Sequence, residues 1–288
     1  MKQGHRKIRL IALDLDGTTL NRNGRLTPDN RLALEQAAAG GIYVVVASGR
    51  ALSTLPSEIF QLSCFTYAIT SNGAAIHSMP DQKLLRRYYI PAEAVDQIVE
   101  QADAYFSDCT GNQRLNYEVF VNGIAYAQAD YVKNPMGFGG TEQEQRYIRE
   151  TRNPVEDIHA FIALHRHELD SLDLIVHNAE RKERIWELLK ERIPEIYITS
   201  SVPRLLEISS KECGKWSGIL HLLEILGISP EEVMTFGDAR NDLDMIQNAG
   251  IGVAMGNAHA ALKEQADYIT GNNDESGVAR ALQELRII

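Results

Sequence analysis

Apolar runs alternate with helix-like segments near both ends of the chain. The segments, in chain order, read as IRLIALDLDG, TPDNRLALEQAAAG, IYVVVASGR, LSTLPSEIFQL and TYAITSNGA, then KWSGILHLLEILGIS, VMTFGDA, NDLDMIQNAG, IGVAMG, HAALKEQA and DYIT. Strands and helices in such alternation are typical of a parallel sheet with right-handed crossovers. We therefore predict that the two ends form halves of one doubly wound, Rossmann-like α/β domain.

The middle of the chain has a different rhythm, in which strand-like and helical stretches are less regularly spaced. It reads as LLRRYYI, PAEAVDQIVEQADAY, YEVFVNGIAYAQ, LDLIVH, RKERIWELLKERI, IYITS and RLLEIS. This pattern favours an α+β insertion over residues 84–209, between core segments 1–83 and 210–288. Within the insertion, KNPMGFGGTEQEQ predicts a long, mobile loop.

Composition narrows the class of partner. The chain has 288 residues, 44% hydrophobic and 24% charged, which is ordinary for a soluble globular protein. Its formal net charge of −10 argues against nucleic-acid and membrane-surface binding, because phosphate backbones select basic faces. A small anionic substrate is still compatible with this negative net charge, since one lysine, a cation and backbone amides can hold it locally.

Cysteine usage and the amino terminus indicate the compartment. The three cysteines are scattered, without CxxC spacing, and are Cys64, Cys109 and Cys213. This disfavours a disulfide framework or a zinc knuckle and favours a reducing cytoplasm. The basic residues near the amino terminus are Lys2, His5, Arg6, Lys7 and Arg9. The apolar run behind them is broken by Asp14, so we expect no targeting segment and no membrane span.

Two carboxylates interrupt the first apolar strand. Asp14 and Asp16 alternate with apolar residues, so both are expected on one side of the strand's carboxyl end, where open α/β sheets bind ligands. Two close carboxylates repel each other, and a divalent cation such as Mg²⁺ is the simplest compensation. Asp238, after the VMTF strand, would reach the same edge if that strand lies beside the first. Considered alone, Asp238 to Asp242 would be read as helix N-capping.

Two further segments suit a phosphate. VVVASGR ends a buried strand with the hydroxyl of Ser48, and Gly49 allows backbone amides to approach an anion. Lys215 opens a helix after the insertion and could place a point charge on the same anion. Each signal is weak alone, because a plain turn and a solvated surface lysine are the commoner readings.

Taken in order, DLDGTTL, ASGR, a lysine that opens a helix after an insertion, and GDARND resemble the four motifs of the haloacid dehalogenase (HAD) superfamily. The insertion lies after the SNGA turn and before the lysine, which resembles the Cof-type branch (HAD-IIB) with a C2B-type cap. The resemblance extends over nearly the whole chain, including AGIGVAMGNA and ADYIT. It implies a HAD core with an inserted α+β cap domain.

The resemblance also implies roles for the acidic residues. Asp14 would be the nucleophile that forms an aspartyl-phosphate, and Asp16 the general acid and then the general base. Mg²⁺ would bind the side chains of Asp14 and Asp238 and the backbone carbonyl of Asp16. Asp242 would order the groups around the metal's ligands.

The same resemblance places Ser48, Gly49, Lys215 and Asn241 around the phosphoryl oxygens. One departure concerns the lysine segment, SKECGKWSG, in which Trp216 stands where a glycine is common. We prefer Lys215, because it begins the helical stretch, and keep Lys211 as the fallback.

Two residues near the predicted mouth of the site are candidate contacts to substrate or cap. They are Arg50, which follows Ser48 and Gly49, and Asn72 of the SNG turn. The alternative for Asn72 is a turn residue that tolerates left-handed backbone geometry.

These expectations add up to a Mg²⁺-dependent phosphatase that hydrolyses small phosphomonoesters, sugar phosphates or related metabolites, with the insertion as a mobile lid. A phosphotransferase or phosphomutase is the first alternative, because an aspartyl-phosphate can be passed to a sugar hydroxyl instead of water. A non-catalytic phosphometabolite sensor is the second. The sequence identifies neither the physiological substrate nor the oligomeric state, monomer or homodimer.

Overall fold

The computed structural model describes residues 7–138 and 141–288. Contacts divide the chain into two compact units. The first consists of the chain up to Arg50, Leu55–Arg86 and Gly214–Ile288, and the second of Ala51–Thr54 and Arg87–Cys213. Of the basic amino-terminal residues, Lys2, His5 and Arg6 lie outside the described ranges.

The strands of the described residues belong to two sheets. In chain order they are β1 (Leu10–Leu13), β2 (Tyr43–Ala47), β3 (Phe65–Thr70), β4 (Ala75–Ser78), β5 (Leu84–Arg87), β6 (Asn116–Val121), β7 (Ile124–Gln128), β8 (Asn153–Val155), β9 (Leu169–Ile175), β10 (Ile196–Thr199), β11 (Leu205–Ser210), β12 (Val233–Gly237), β13 (Ile251–Ala254) and β14 (Tyr268–Ile269). The helices cover the faces and connect the strands. They are α1 (Pro28–Ala39), α2 (Ser57–Gln61), α3 (Ala92–Tyr105), α4 (Ala129–Lys133), α5 (Glu142–Thr151), α6 (Ile158–His165), α7 (Ala179–Arg192), α8 (Lys215–Leu226), α9 (Leu243–Asn248), α10 (Ala260–Gln265) and α11 (Gly277–Glu284).

The sheet of the first unit has the strand order β14-β13-β12-β1-β2-β3-β4-β5. Pairing is parallel from β14 to β3 and antiparallel between β3 and β4. All four residues of β1 are fully buried, as expected for a central strand covered on both faces. The prediction of a doubly wound α/β core is confirmed. β12 and β2 lie on either side of β1 and run parallel to it. The segments that follow these three strands therefore start at the same edge of the sheet.

Local signals explain how the first helix begins. The side chain of Thr27 accepts a hydrogen bond from the N–H of Asn30, and Pro28 occupies the first turn, where its missing N–H costs nothing. The helix ends at Ala39, and the N–H of the next residue, Gly40, donates to the carbonyl of Gln36. The sequence TPDNRLALEQAAAG therefore carries both of its own boundaries.

The second unit has its own sheet, in the order β10-β11-β9-β6-β7-β8. Neighbours are antiparallel except β7 and β8, which are parallel. Alternate residues of β6 and β9, such as Tyr117 and Leu172, pack with the apolar faces of α3, α6 and α7 into one core. The unit is thus an α+β assembly with its own hydrophobic interior.

A short piece of chain from the amino-terminal half also belongs to this unit. The backbone N–H and the hydroxyl of Ser53 both donate to the carbonyl of Gly123, at 3.4 and 2.7 Å. Ala51 is fully buried against Phe120 and Ala125. These contacts attach Ala51–Thr54 to the turn between β6 and β7.

The prediction of a long loop over KNPMGFGGTEQEQ is wrong for most of that stretch. Pro135–Phe138 forms a turn of 3₁₀ helix, and α5 begins at Glu142. The residues EQEQR are good helix formers, and this local preference outweighs the polar, glycine-containing composition on which the loop was predicted. Gly139 and Gly140 lie outside the described residues.

None of the helices in the described ranges combines the length and the apolar character needed to cross a bilayer.

Candidate active site

The end of β1 turns sharply around Gly17. Asp14 follows the strand directly, is buried, and donates its N–H to the carbonyl of Phe236 at 3.0 Å. Gly17 has φ of +77°, and a Cβ at this position would lie 2.4 Å from Oδ2 of Asp238. Only glycine fits this turn without displacing the carboxylate, because it supplies both the left-handed backbone and the missing side chain. The DLDG segment and Asp238 therefore meet at one sheet edge.

Three carboxylates form a compact cluster there. Each of Asp14, Asp238 and Asp242 offers an oxygen within 4.8 Å of the others. Lys215 is fully buried, and its Nζ lies 2.6 Å from Oδ1 of Asp14 and 2.6 Å from Oδ1 of Asp242. One ammonium group thus faces three acidic side chains, which leaves an excess of negative charge.

The pKa values of the cluster reflect burial and mutual repulsion. Burial raises the pKa of Asp14 well above its ordinary value, although Lys215 pulls it down. Burial, followed by the charge of Asp242, raises the pKa of Asp238 to about 7. For Lys215, burial disfavours the charge, but Asp14 and Asp242 hold its pKa above the ordinary value. A further cation would let these carboxylates ionise fully.

The remaining hydrogen bonds determine which oxygens could hold such a cation. Both oxygens of Asp242 are used, because Oδ1 accepts from Lys215 and Oδ2 accepts the N–H groups of Asp238 and Ala239, each at 2.9 Å. Asp238 accepts the Thr18 hydroxyl at Oδ1, at 2.8 Å. Asp14 and Asp238 each keep a second oxygen without a donor among the described residues. The set suits a hard, divalent metal ion, with these two side chains as its ligands.

Asp16 does not join the three clustered carboxylates. The strand ends at Leu13, so strict alternation no longer applies to this residue, and its side chain is 57% exposed. Arg50 pairs with it at both oxygens: Nε donates to Oδ2 at 2.6 Å and Nη2 donates to Oδ1 at 2.7 Å. A two-point pair of this kind fixes the carboxylate in plane with the guanidinium group.

The loop after β2 lies under the same edge. Ser48 is buried, its N–H donates to the carbonyl of Ile69 at 2.9 Å, and its hydroxyl accepts the N–H of Arg50 at 3.2 Å. Gly49, between them, is half-buried. Hydrogen bonds within the core therefore fix the hydroxyl and the backbone of this loop independently of the pair between Arg50 and Asp16.

The SNG turn after β3 is buried as well. Asn72 is 3% exposed, its N–H donates to the carbonyl of Ser48 at 3.1 Å, and its carbonyl accepts the N–H of Gly214 at 2.7 Å. Asn241 donates from Nδ2 to Oδ1 of Asn72 at 3.1 Å. The turn thus connects the Ser48 loop, the start of α8 and the segment that carries Asn241.

Sequence reasoning missed Thr18 and Asp244. Asp244 accepts the N–H of Trp216 at 3.0 Å, and burial raises its pKa to about 6. It therefore caps the first turn of α8, the helix that Lys215 begins. The contact uses the backbone of Trp216, so it does not depend on the side chain at that position. Lys211, the fallback for Lys215, is exposed.

Known proteins of one family resemble this chain over nearly its full length. The sequence profile of the haloacid dehalogenase-like hydrolases matches residues 11–282. A Bacillus subtilis protein named 5-amino-6-(5-phospho-D-ribitylamino)uracil phosphatase YcsE is 32% identical, over 96% of this chain and 95% of its own. Phosphatase YwpJ of the same organism is 30% identical, over 96% and 100%. A solved B. subtilis haloacid dehalogenase-like hydrolase superposes with a TM-score of 0.81 at 27% identity, covering 96% of this chain and 100% of that one.

Proposed function

The chain belongs to the haloacid dehalogenase-like hydrolases, as its motifs predicted, and from that membership we propose that it is a Mg²⁺-dependent phosphatase of small phosphomonoesters. Its curated relatives are named phosphatases, so the reaction class is that of a phosphoric monoester hydrolase. The substrates proposed are sugar phosphates and related metabolites.

One observation carries the proposal: Lys215, fully buried, lies between Asp14 and Asp242 within a cluster of three carboxylates. Burying so many charges is costly unless something compensates for them. A divalent cation and a phosphoryl group together would do so, with the cation on the acidic side and the anion beside the ammonium group. Asp14, Asp238 and the backbone carbonyl of Asp16 are the proposed ligands of Mg²⁺, which would neutralise charge on the phosphoryl group when bound.

The reaction proposed uses two displacements at phosphorus. Asp14 attacks in line, a bond forms from its carboxylate oxygen to phosphorus, and the bond to the leaving oxygen breaks as Asp16 gives that oxygen a proton. Asp16, now a carboxylate, takes a proton from water as the water attacks phosphorus. The bond to Asp14 then breaks, which returns the free carboxylate and releases inorganic phosphate. For the first step Asp16 must be released from Arg50, which holds both of its oxygens in this structure.

The phosphoryl oxygens need donors around them during both steps. We assign this role to Ser48, the backbone at Gly49, Lys215 and Asn241, which are all at the same sheet edge. Phosphoryl transfer depends mainly on positioning and charge stabilisation, and buried donors supply both. No observation on the described residues favours the phosphotransferase, phosphomutase or sensor alternatives.

The test is phosphate release from a panel of phosphorylated metabolites, with Mg²⁺ or with a chelator, by the wild-type protein and Asp14→Asn in parallel. The panel should hold sugar phosphates, phosphorylated sugar alcohols and nucleotides, since one relative is named for a phosphoribitylamino compound. We expect Mg²⁺-dependent release by the wild type and none by the variant, with both proteins folded by circular dichroism. Release that persists in Asp14→Asn would eliminate the assigned nucleophile.

A further inference from the structure

The SNG turn has an unusual backbone. Ser71, Asn72 and Gly73 have φ of +47°, +52° and +95°. Three consecutive residues thus lie in a backbone region that residues other than glycine rarely adopt. Asparagine tolerates this conformation better than most residues, since its short amide interacts with nearby polar groups. The turn is also packed tightly, because a Cβ on Gly73 would lie 2.2 Å from the carbonyl oxygen of Gly214. The fold keeps Asn72 in place by contacts on several sides.

Those contacts reach three separate segments of the site. The backbone of Asn72 pairs with Ser48 through its N–H and with Gly214, the residue before Lys215, through its carbonyl. Its side-chain Oδ1 accepts from Nδ2 of Asn241. A residue 3% exposed that bonds to three loops from within is poorly placed to contact a substrate. It is well placed to fix the distances between the groups that do.

Asn241 depends on this anchor. It is 3% exposed, and its other amide atom, Oδ1, is buried with no hydrogen-bond partner among the described residues. Oδ1 can only accept a hydrogen bond, so it needs a donor that the described residues do not supply. The side chain of Asn241 is therefore held on one side by Asn72 and left incomplete on the other. Nδ2 of Asn241 carries two hydrogens, and the contact with Asn72 uses one of them, so the second can be donated to an acceptor such as a phosphoryl oxygen.

We propose that Asn72 is a positioning residue, whose side chain holds the Asn241 amide in place at the acidic site for the bound phosphoryl group. This proposal rests on the proposed function, in which Asn241 touches the phosphoryl oxygens. Asn72 itself touches no reacting atom and acts through Asn241. Its side-chain role can be separated from its backbone role, since glycine keeps the left-handed conformation and both backbone hydrogen bonds.

The test is a double-mutant cycle on turnover with Asn72→Gly, Asn241→Ala and the two combined. We expect Asn72→Gly to lower kcat about tenfold, the size of one buried hydrogen bond lost from the transition state, with KM changed less than threefold. Combined with Asn241→Ala, it should lower kcat no further than Asn241→Ala alone. Gln82→Gly is the matched control, because Gln82 has the same φ of +52° but is exposed, and its kcat should equal that of the wild type.

Affinity for inorganic phosphate in the presence of Mg²⁺, measured by calorimetry, is the second readout and requires no turnover. Asn72→Gly should weaken phosphate binding about tenfold, again without a further effect in the Asn241→Ala background. Wild-type kcat and phosphate affinity in Asn72→Gly, or equal losses from Asn72→Gly in both backgrounds, would overturn the proposal. A wild-type protein that binds phosphate but turns over no substrate would instead count against the proposed function, and the binding cycle would still decide the role of Asn72.

Discussion

Replacing Lys215 with methionine should affect stability as well as turnover. The substitution keeps much of the volume of the side chain but removes the ammonium group that lies 2.6 Å from both Asp14 and Asp242. Removing one partner of a buried ion pair typically costs about 3–5 kcal/mol, because the other charge stays buried without compensation. The pKa of Asp14, already raised by burial, should rise further, since Lys215 is the group that lowers it. Less of the Asp14 carboxylate, the proposed nucleophile, would then be ionised near neutral pH.

The assay is thermal unfolding in a chelating buffer, followed by the same measurement with Mg²⁺ and by phosphate release. With about 2–4 °C per kcal/mol for a chain near this size, Lys215→Met should melt about 6 to 20 °C below the wild type without metal. Mg²⁺ should recover part of that loss, because it compensates the same carboxylates, but it should not restore turnover.

Lys211→Met is the matched control, four residues earlier in the chain and at an exposed position. Its free energy of unfolding should stay within about 0.5 kcal/mol of that of the wild type, and its turnover should be unchanged. The reasoning is refuted if Lys215→Met melts with the wild type in chelator and still releases phosphate. It is also refuted if Lys211→Met is the variant that loses turnover.

Three further outcomes follow from other positions. Asp238→Asn should abolish the rise in melting temperature that Mg²⁺ gives the wild type, a rise worth about 2.7 kcal/mol at a metal concentration of 100 Kd; an unchanged rise would remove Asp238 as a ligand. Gly17→Ala should weaken Mg²⁺ binding at least about tenfold in a calorimetric titration, because its Cβ would meet the Asp238 carboxylate at 2.4 Å. Burial raises the pKa of Asp170 to about 6 against the opposing pull of Arg87, so the folded state keeps this proton longer than the unfolded chain does. The resulting stabilisation, about 3 kcal/mol at most, should be complete below pH 4 and lost as the pH rises through 6. Over that pH range the urea midpoint of Asp170→Asn should fall less steeply than the midpoint of the wild type.

The fold was predictable because its strongest signals are local. The run LIAL predicts a strand, the cap at Thr27 predicts the start of a helix, and the glycine after α1 predicts its end. The order of such signals along the chain predicts the α/β core. Parallel strands that neighbour one another then bring the residues after β1 and β12 to one edge. The approach of Asp238 to Asp14 therefore follows from topology, without knowledge of any side-chain rotamer.

What the sequence could not reveal depends on tertiary placement. Whether Asp16 meets a cation or Arg50 is decided by where the chain bends after Leu13, and alternation along a strand cannot describe a turn. The contacts of Asn72 join segments far apart in sequence, so a short SNG stretch shows only that a turn is present. Asp244 was overlooked since its partner is a backbone N–H on another helix.

The allocation of Ala51–Thr54 to the second unit has a consequence for protein engineering. The chain crosses between the two units after Arg50, after Thr54, after Arg86 and after Cys213, whereas a simple insertion would need only the outer pair of these crossings. A fragment cut at the obvious boundaries would lose the two hydrogen bonds from Ser53 and the packing of Ala51. Chimaeras that exchange this unit between relatives would therefore have to exchange the tetrapeptide too, and the tetrapeptide directly follows Arg50. A recombination point placed there would also change the unit that carries the proposed active site, because Arg50 belongs to that unit.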